Sequence, residues 1–379
     1  MAQVTFLLKD DPYGVDAGDT RISRLLIEAA AEADQVRAIA LARPGATARS
    51  EPPIPITRVP SPDRGMVTAA LRGLSPRRST LHRYFRIDEL ASAIRAERAD
   101  AVIAEHTYMA EPALDAGLPD DGTRLLINTH ALQSSVFAQR RSPPLRWIEA
   151  RRTWRDELRC VRAASSVACL GEDDLVRLRA AGVPNARRLD LLLPPAERPA
   201  AAEHPRALFF GGRYRWPPNQ YAMERLLELW PAIAKAVPGA ELVIAGRPAS
   251  RERPVDDPTV RVTGYVEDLD ELLSSSSVLL APVPIGGGVR VKVLDAARHG
   301  LPVVGTPQAI GTISRYLPVE PSGSPDEFSE QAIALLSSQQ RAREVGERLY
   351  EANRELWRSG FVHRQVTDWI AGGAGRAPE

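Results

Sequence analysis

Short apolar runs alternate along this chain with longer segments whose apolar positions recur every three or four residues. Val4 to Leu8, Val36 to Leu41 and Ala101 to Glu105 read as strands, with helices expected near Arg21 to Ala33 and Asp88 to Glu97. Arg124 to Asn128, Ser166 to Leu170 and Arg188 to Leu193 continue the series, and they are apolar enough to be covered on both faces of a parallel sheet. Residues 45 to 80 mix Pro, Arg, Ser and Gly without a period, which predicts a long loop with one helix near Val67 to Leu74.

The rhythm stops between Pro194 and Pro205, where four prolines and no periodicity mark a linker. It restarts with Ala207 to Phe210, a helix near Tyr221 to Ala236, then Glu241 to Ala245, Arg261 to Thr263, Val278 to Ala281 and Leu301 to Val304. In that helix Ala222, Leu226, Leu229, Trp230 and Ile233 share a face, whereas Glu224, Arg225 and Glu228 fall elsewhere. Helices near Pro325 to Leu336 and Gln339 to Trp357 precede an amphipathic segment, Phe361 to Ile370. The fold class is therefore α/β with two domains, 1–195 and 206–358. The last helix, about 360–371, is expected to pack back on the first domain.

Composition agrees with two cores of ordinary size: 379 residues, 44% of them hydrophobic. The 49 basic and 48 acidic residues nearly cancel, so no global field argues for a nucleic-acid partner. Lys9, Lys235 and Lys292 are the only lysines. Cys160 and Cys169, with no other cysteines, fit a reducing compartment and neither a disulfide framework nor a zinc site. No signal peptide or membrane-spanning run is visible, and a cytoplasmic location is expected.

The most chemically loaded stretch follows Val278 to Ala281. Gly286, Gly287 and Gly288 let backbone N–H groups approach an anion at the mouth of the next helix, and Arg290 and Lys292 add positive charge there. Asp295, one turn further, would accept hydroxyls of a ribose or form a plain i,i+3 salt bridge. The stop Gly300-Leu301-Pro302 favours the first alternative. Gly212 and Arg213 end another strand and offer amides and a guanidinium to phosphate, although such a turn with a solvated arginine is as common.

In the first domain His130 follows a strand directly, at the sheet end where open α/β folds bind ligands, with His106 a weaker competitor. Gly14, Gly18, Asp19 and Arg21 form a loop after the first strand that would line a cleft or serve as solvated turn residues. The paired acids Asp10-Asp11, Asp120-Asp121, Asp173-Asp174 and Asp256-Asp257 lie in turn-like contexts without convergent partners, so no metal site is expected. Neither a Gly-x-x-x-x-Gly-Lys-Ser/Thr loop nor a Gly-x-Gly-x-x-Gly fingerprint is present, which removes the markers of nucleotide hydrolysis and nicotinamide chemistry. From Arg140 to Arg162 eight arginines meet only Glu149, Asp156 and Glu157, with Trp147 and Trp154 interleaved. That segment is read as a solvated helix ahead of a weak peripheral contact with an anionic membrane.

Through Gly212-Arg213, Asn219, Trp230-Pro231, Ala245-Gly246, Gly264-Tyr265-Val266 with Asp268, the triple glycine, Lys292, Asp295-Ala296 and Gly300-Leu301-Pro302-Val303-Val304, the chain resembles family 4 retaining glycosyltransferases of the GT-B fold. The likeness covers nearly the whole second domain. In the first it is looser, at Gly18, Arg21, Glu105 and Asn128 to Arg140. It implies two Rossmann-like domains facing a cleft, a nucleotide-diphosphate sugar held mainly by the second, an acceptor hydroxyl held mainly by the first, and transfer without metal or cofactor. Arg213 and Lys292 would stabilise the departing diphosphate, Asp295 would bind ribose, the amides of Gly286 to Gly288 would hold sugar and phosphate, and His130 would hydrogen-bond the donor sugar.

Two positions depart from the family's pattern. Its Glu-x7-Glu motif has Gly287 and Asp295 here, and the lysine often found six residues after the Arg213 position is Asn219. A sugar-nucleotide epimerase, or a binding subunit without turnover, would be built on the same scaffold.

Overall fold

The computed structural model of the chain describes residues 1–14, 17–42, 51–61, 78–139, 145–197, 199–200, 204–214, 216–247 and 256–372, with the side chains at 145, 146, 212, 213 and 247 outside that set. Its contacts divide it into two compact units. One comprises Met1–Asp190, Gly287–Val289 and Val362–Glu379, the other Leu191–Gly286 and Arg290–Phe361.

The first unit holds seven parallel strands, β1 (Gln3–Leu8), β2 (Gln35–Ala42), β3 (Ile56–Pro60), β4 (Ala101–Glu105), β5 (Arg124–Asn128), β6 (Ser166–Cys169) and β7 (Ala186–Arg188), in the order β3-β2-β1-β4-β5-β6-β7. Strand β4 is buried along its whole length, as a sheet covered on both faces requires. Strand order reverses direction between β1 and β4, so the connections leaving these paired strands run apart and form a crevice at their carboxyl ends, where such sheets bind ligands. The helix Gly18–Ala31 crosses from β1 to β2. The helix Phe361–Ala371 is tied to this sheet by Arg124 Nη1, which donates to the Ile370 carbonyl at 2.7 Å, and by fully buried Trp369.

Two sequence expectations for this unit need correction. Strand β7 ends at Arg188 instead of beginning there: Leu189 N makes the last bond to β6, at the Cys169 carbonyl, and the chain then leaves the sheet edge. Leu191 to Leu193 are buried, so their apolar run reports packing without a ladder. Strand β3 replaces part of the expected loop: only Val59 of its five residues is buried, which removes the alternation that marks a strand. The helix expected near Val67 to Leu74 lies outside the described residues.

The second unit holds five parallel strands, β8 (Arg206–Arg213), β9 (Glu241–Arg247), β10 (Val260–Gly264), β11 (Val278–Ala281) and β12 (Val303–Gly305), in the order β10-β9-β8-β11-β12. Here the reversal lies between β8 and β11. The helix Pro217–Ala236 buries Ala222, Leu226, Trp230 and Ile233 against the sheet, the face its spacing predicts, and leaves Leu229 half-buried. The helix Val291–His299 closes on Gly300 in the left-handed conformation, with Leu301 N bonding back to Ala296 O at 2.8 Å. Leu301 therefore serves the helix end and Pro302 has no N–H, so β12 starts at Val303 and not at Leu301.

Candidate active site

At the reversal point of the first sheet, the residues after β4 and β5 carry two histidines. His130 Nε2 lies 2.6 Å from Glu105 Oε2, and the same carboxylate accepts from Ser23 Oγ at 2.7 Å and from Asn128 Nδ2 at 3.2 Å. His106 stacks on His130 with ring centroids 4.1 Å apart, and Tyr108 stacks on His106 at 4.9 Å. Both histidines hold positive φ, 84° for His106 and 51° for His130, the only non-glycine residues to do so among those described. A conformation of that kind costs on the order of 1–3 kcal/mol and persists only where neighbours enforce it.

Asp19, in the first turn of Gly18–Ala31, pairs with Lys9 Nζ at 2.6 Å and sits 3.7 Å from His106 Nε2. Burial pushes the Asp19 carboxyl up, yet His106 and Lys9 outweigh it and hold the group well below the carboxylate range. Burial, then the neighbouring His130, pulls the His106 imidazole down to about 3, so it is neutral at physiological pH. Gly18 opens the helix and Arg21 follows half-buried, Arg21 N bonding to Ala17 O.

Gly287–Val289 belongs to this unit through His130. Gly288 has φ 75°, a Cβ there would come within 1.8 Å of the His130 carbonyl oxygen, and Val289 N donates to that oxygen at 3.3 Å. Glycine at 288 is thus required by backbone contact, a reason independent of any phosphate. A Cβ on Gly287 would meet Asp174 Oδ1 at an ordinary 3.4 Å. Asp174 itself accepts from Leu132 N, so this paired acid is buried and in use, as is Asp11, which accepts from Arg58 Nε at 2.7 Å. The expectation that such acids lack convergent partners fails for these two, because their partners come from distant sequence.

At the reversal point of the second sheet, half-buried Lys292 donates from Nζ to Asn219 Oδ1 at 2.7 Å. Desolvation lowers the Lys292 ammonium to about 8; Asp295 opposes the shift and Arg290 adds to it. Asp295 is 1% exposed, so it is not part of a solvated surface salt bridge. The ends of β8 and β9 approach closely here: a Cβ on Gly246 would lie 1.8 Å from Gly211 O, and Tyr214 donates its hydroxyl to Ala245 O at 2.8 Å. Arg213 closes β8, and its side chain lies outside the described set. Gly286 precedes this helix with φ 131°.

The structure therefore brings His130, His106 and Asp19 together in one unit, and Lys292, Asn219, Asp295 and Arg290 in the other. Sequence reasoning missed Lys9, whose role depends on a contact across ten residues, and the clasp of Asn219 on Lys292, which joins positions 73 residues apart. It also missed a buried cluster in which Glu111 meets His82 Nδ1 at 2.8 Å, Arg78 at 2.6 Å, Arg159 and Cys160 Sγ at 3.6 Å. Two guanidiniums already balance that carboxylate, and burial pushes the Cys160 thiol well up. Cys160 and Cys169 are both free and buried. The helix Leu145–Ala163 exposes Trp147, Ile148, Arg151 and Arg155, while 140–144 lie outside the described residues. Among the described residues no helix is long and apolar enough to cross a membrane.

Residues 205–338 match the family model of glycosyl transferases group 1. No curated protein matches the chain. Among solved structures, HepE of Anabaena in complex with UDP and glucose superposes with a TM-score of 0.69 at 12% identity, over 98% of this chain and 100% of HepE. WaaG, a glycosyltransferase involved in lipopolysaccharide biosynthesis, gives 0.65 at 16% identity over 98% and 100%. TarM of S. aureus, in complex with fondaparinux, α-GlcNAc-glycerol and UDP, gives 0.61 at 10% identity; 75% of this chain is covered, but only 58% of TarM. Such identities show the fold alone, and the fold is GT-B.

Proposed function

We infer that the chain is a glycosyltransferase that moves a sugar from a nucleotide-diphosphate donor to an acceptor hydroxyl, with retention at the anomeric carbon and without a metal. The carrying observation is Lys292, a cation clasped by Asn219 in the first turn of Pro217–Ala236 and lowered by desolvation to about 8, beside Arg290 and Asp295. The position that carries lysine in the resembled family is thus an acceptor that orients the lysine of the helix Val291–His299. The family match over this unit and neighbours of the same fold crystallised with UDP or UDP-glucose support the reading.

In the reaction the acceptor oxygen bonds to the anomeric carbon as the bond from that carbon to the phosphate oxygen breaks, and the hydroxyl proton leaves with the diphosphate. The developing charge falls on the diphosphate. Fixed cations poor in competing water stabilise it better than solvent does, and Lys292, Arg290 and Arg213 are assigned that work. An arriving diphosphate also raises the lysine's pKa back toward its ordinary value, strengthening the cation where charge develops. Asp295 is assigned to the ribose, the Gly286–Gly288 segment to sugar and phosphate, His130 to the sugar, and Gly18, Asp19 and Arg21 to the acceptor side.

Mass spectrometry of a panel of nucleotide sugars, with and without glycan, lipid-linked and small hydroxyl acceptors, tests the reading. Acceptor-dependent mass gain is expected. Donor conversion without acceptor would make the chain an epimerase, and binding with neither would make it a non-catalytic subunit.

A further inference from the structure

His106 and His130 share an arrangement that nothing in the chain itself uses. Each imidazole turns Nε2 toward a carboxylate: His130 to Glu105 at 2.6 Å, His106 to Asp19 at 3.7 Å. A carboxylate only accepts, so each ring presents an Nε2 proton to its carboxylate, and neutral His106 keeps its lone pair on Nδ1. Both Nδ1 atoms are buried and have no hydrogen-bond partner, in residues only 7% and 4% exposed. Unfilled buried acceptors are costly, and these two belong to the chain's only strained non-glycine residues among those described. Such a cost is retained where a ligand fills the acceptors.

The missing partner must donate. Phosphate and carboxylate groups offer no donor at neutral pH, and here they would also meet the anions of Glu105 and Asp19; a sugar hydroxyl offers the donor and no charge. We propose that His106 is a second sugar-binding residue beside His130, the stacked pair reading hydroxyls of a neutral hexose and disfavouring a hexuronate. Asp19, held by Lys9, is then also a positioning residue, its carboxylate facing His106 Nε2 and favouring the tautomer protonated there. This inference rests on the sugar-transfer reading, and the hydroxyls belong to the donor sugar or to a sugar acceptor.

Titration calorimetry with UDP, UDP-glucose and UDP-glucuronate, together with acceptor KM, separates these cases. His106→Phe keeps a stacking ring without the lone pair, and His106→Asn tolerates positive φ if the first variant folds poorly. Either variant should bind UDP as the wild type does and lose about tenfold in UDP-glucose affinity, as one hydrogen bond implies. If the acceptor is the source, the tenfold loss appears in its KM instead. Asp19→Asn, whose amide can accept from or donate to Nε2, should release the tautomer and shrink the glucose-over-glucuronate preference. Unchanged glucose affinity and unchanged acceptor KM in both His106 variants, with normal UDP binding, would overturn this inference alone. A wild-type chain that binds none of the nucleotides and transfers no sugar would remove the sugar-transfer reading with it.

Discussion

Replacing Lys292 with methionine should stabilise the protein while disabling it. The ammonium titrates near 8 instead of 10.5 because it is desolvated, so at pH 7 the folded state carries a charge it disfavours. A shift of that size corresponds to about 3 kcal/mol at most. Losing the bond to Asn219 returns about 1 kcal/mol, leaving a net gain of about 1–2 kcal/mol, or roughly 4 °C in denaturation midpoint. The sign follows from proton linkage. Below pH 8 the lysine is charged in both states and the folded-state penalty is complete. Between 8 and 10.5 the unfolded chain binds more protons, so wild-type stability rises with pH and the variant's advantage disappears. Paired melts of Lys292→Met and wild type at pH 7 and pH 10 read this directly, while the transfer rate should fall on the order of 10² to 10³-fold. A variant less stable than wild type at pH 7, or a difference that does not change with pH, would refute the reasoning.

Other outcomes follow from single contacts. Gly246→Ala would drive a Cβ to 1.8 Å from Gly211 O and should destabilise the protein by about 3 kcal/mol or more in urea denaturation. Asn219→Lys would set a second ammonium against Lys292; donor affinity measured from pH 6 to 9 should fall off at lower pH than in wild type, because like charge depresses the lysine further. Trp369→Ala, at a fully buried ring on Phe361–Ala371, should cost about 3–5 kcal/mol by the same assay. Native protein should show no thiol reactive to Ellman's reagent and two after denaturation, since both cysteines are buried and their thiols pushed up.

The strands and the long helices were legible because burial on one or both faces imposes a period that local sequence carries. Ala101–Glu105, Arg124–Asn128 and Pro325–Leu336 match their expected bounds for that reason. Where burial and hydrogen bonding part company, as at Leu191 to Leu193 or in β3, the period misleads. The candidate residues were legible by type and strand-end position, but their partners were not. Nothing local shows that Asn219 faces Lys292, that Lys9 holds Asp19, or that His106 lies on His130 in a left-handed conformation, since each depends on contacts made only once the sheets form. Gly288 shows the converse, a glycine singled out for phosphate where the His130 carbonyl already excludes any Cβ.

The most direct measurement is a crystal structure of the protein with an intact nucleotide-diphosphate hexose. A diphosphate oxygen within hydrogen-bond distance of Lys292 Nζ is the result this account predicts. A donor bound in full with its diphosphate remote from Lys292, the ammonium still resting on Asn219 alone, would contradict it.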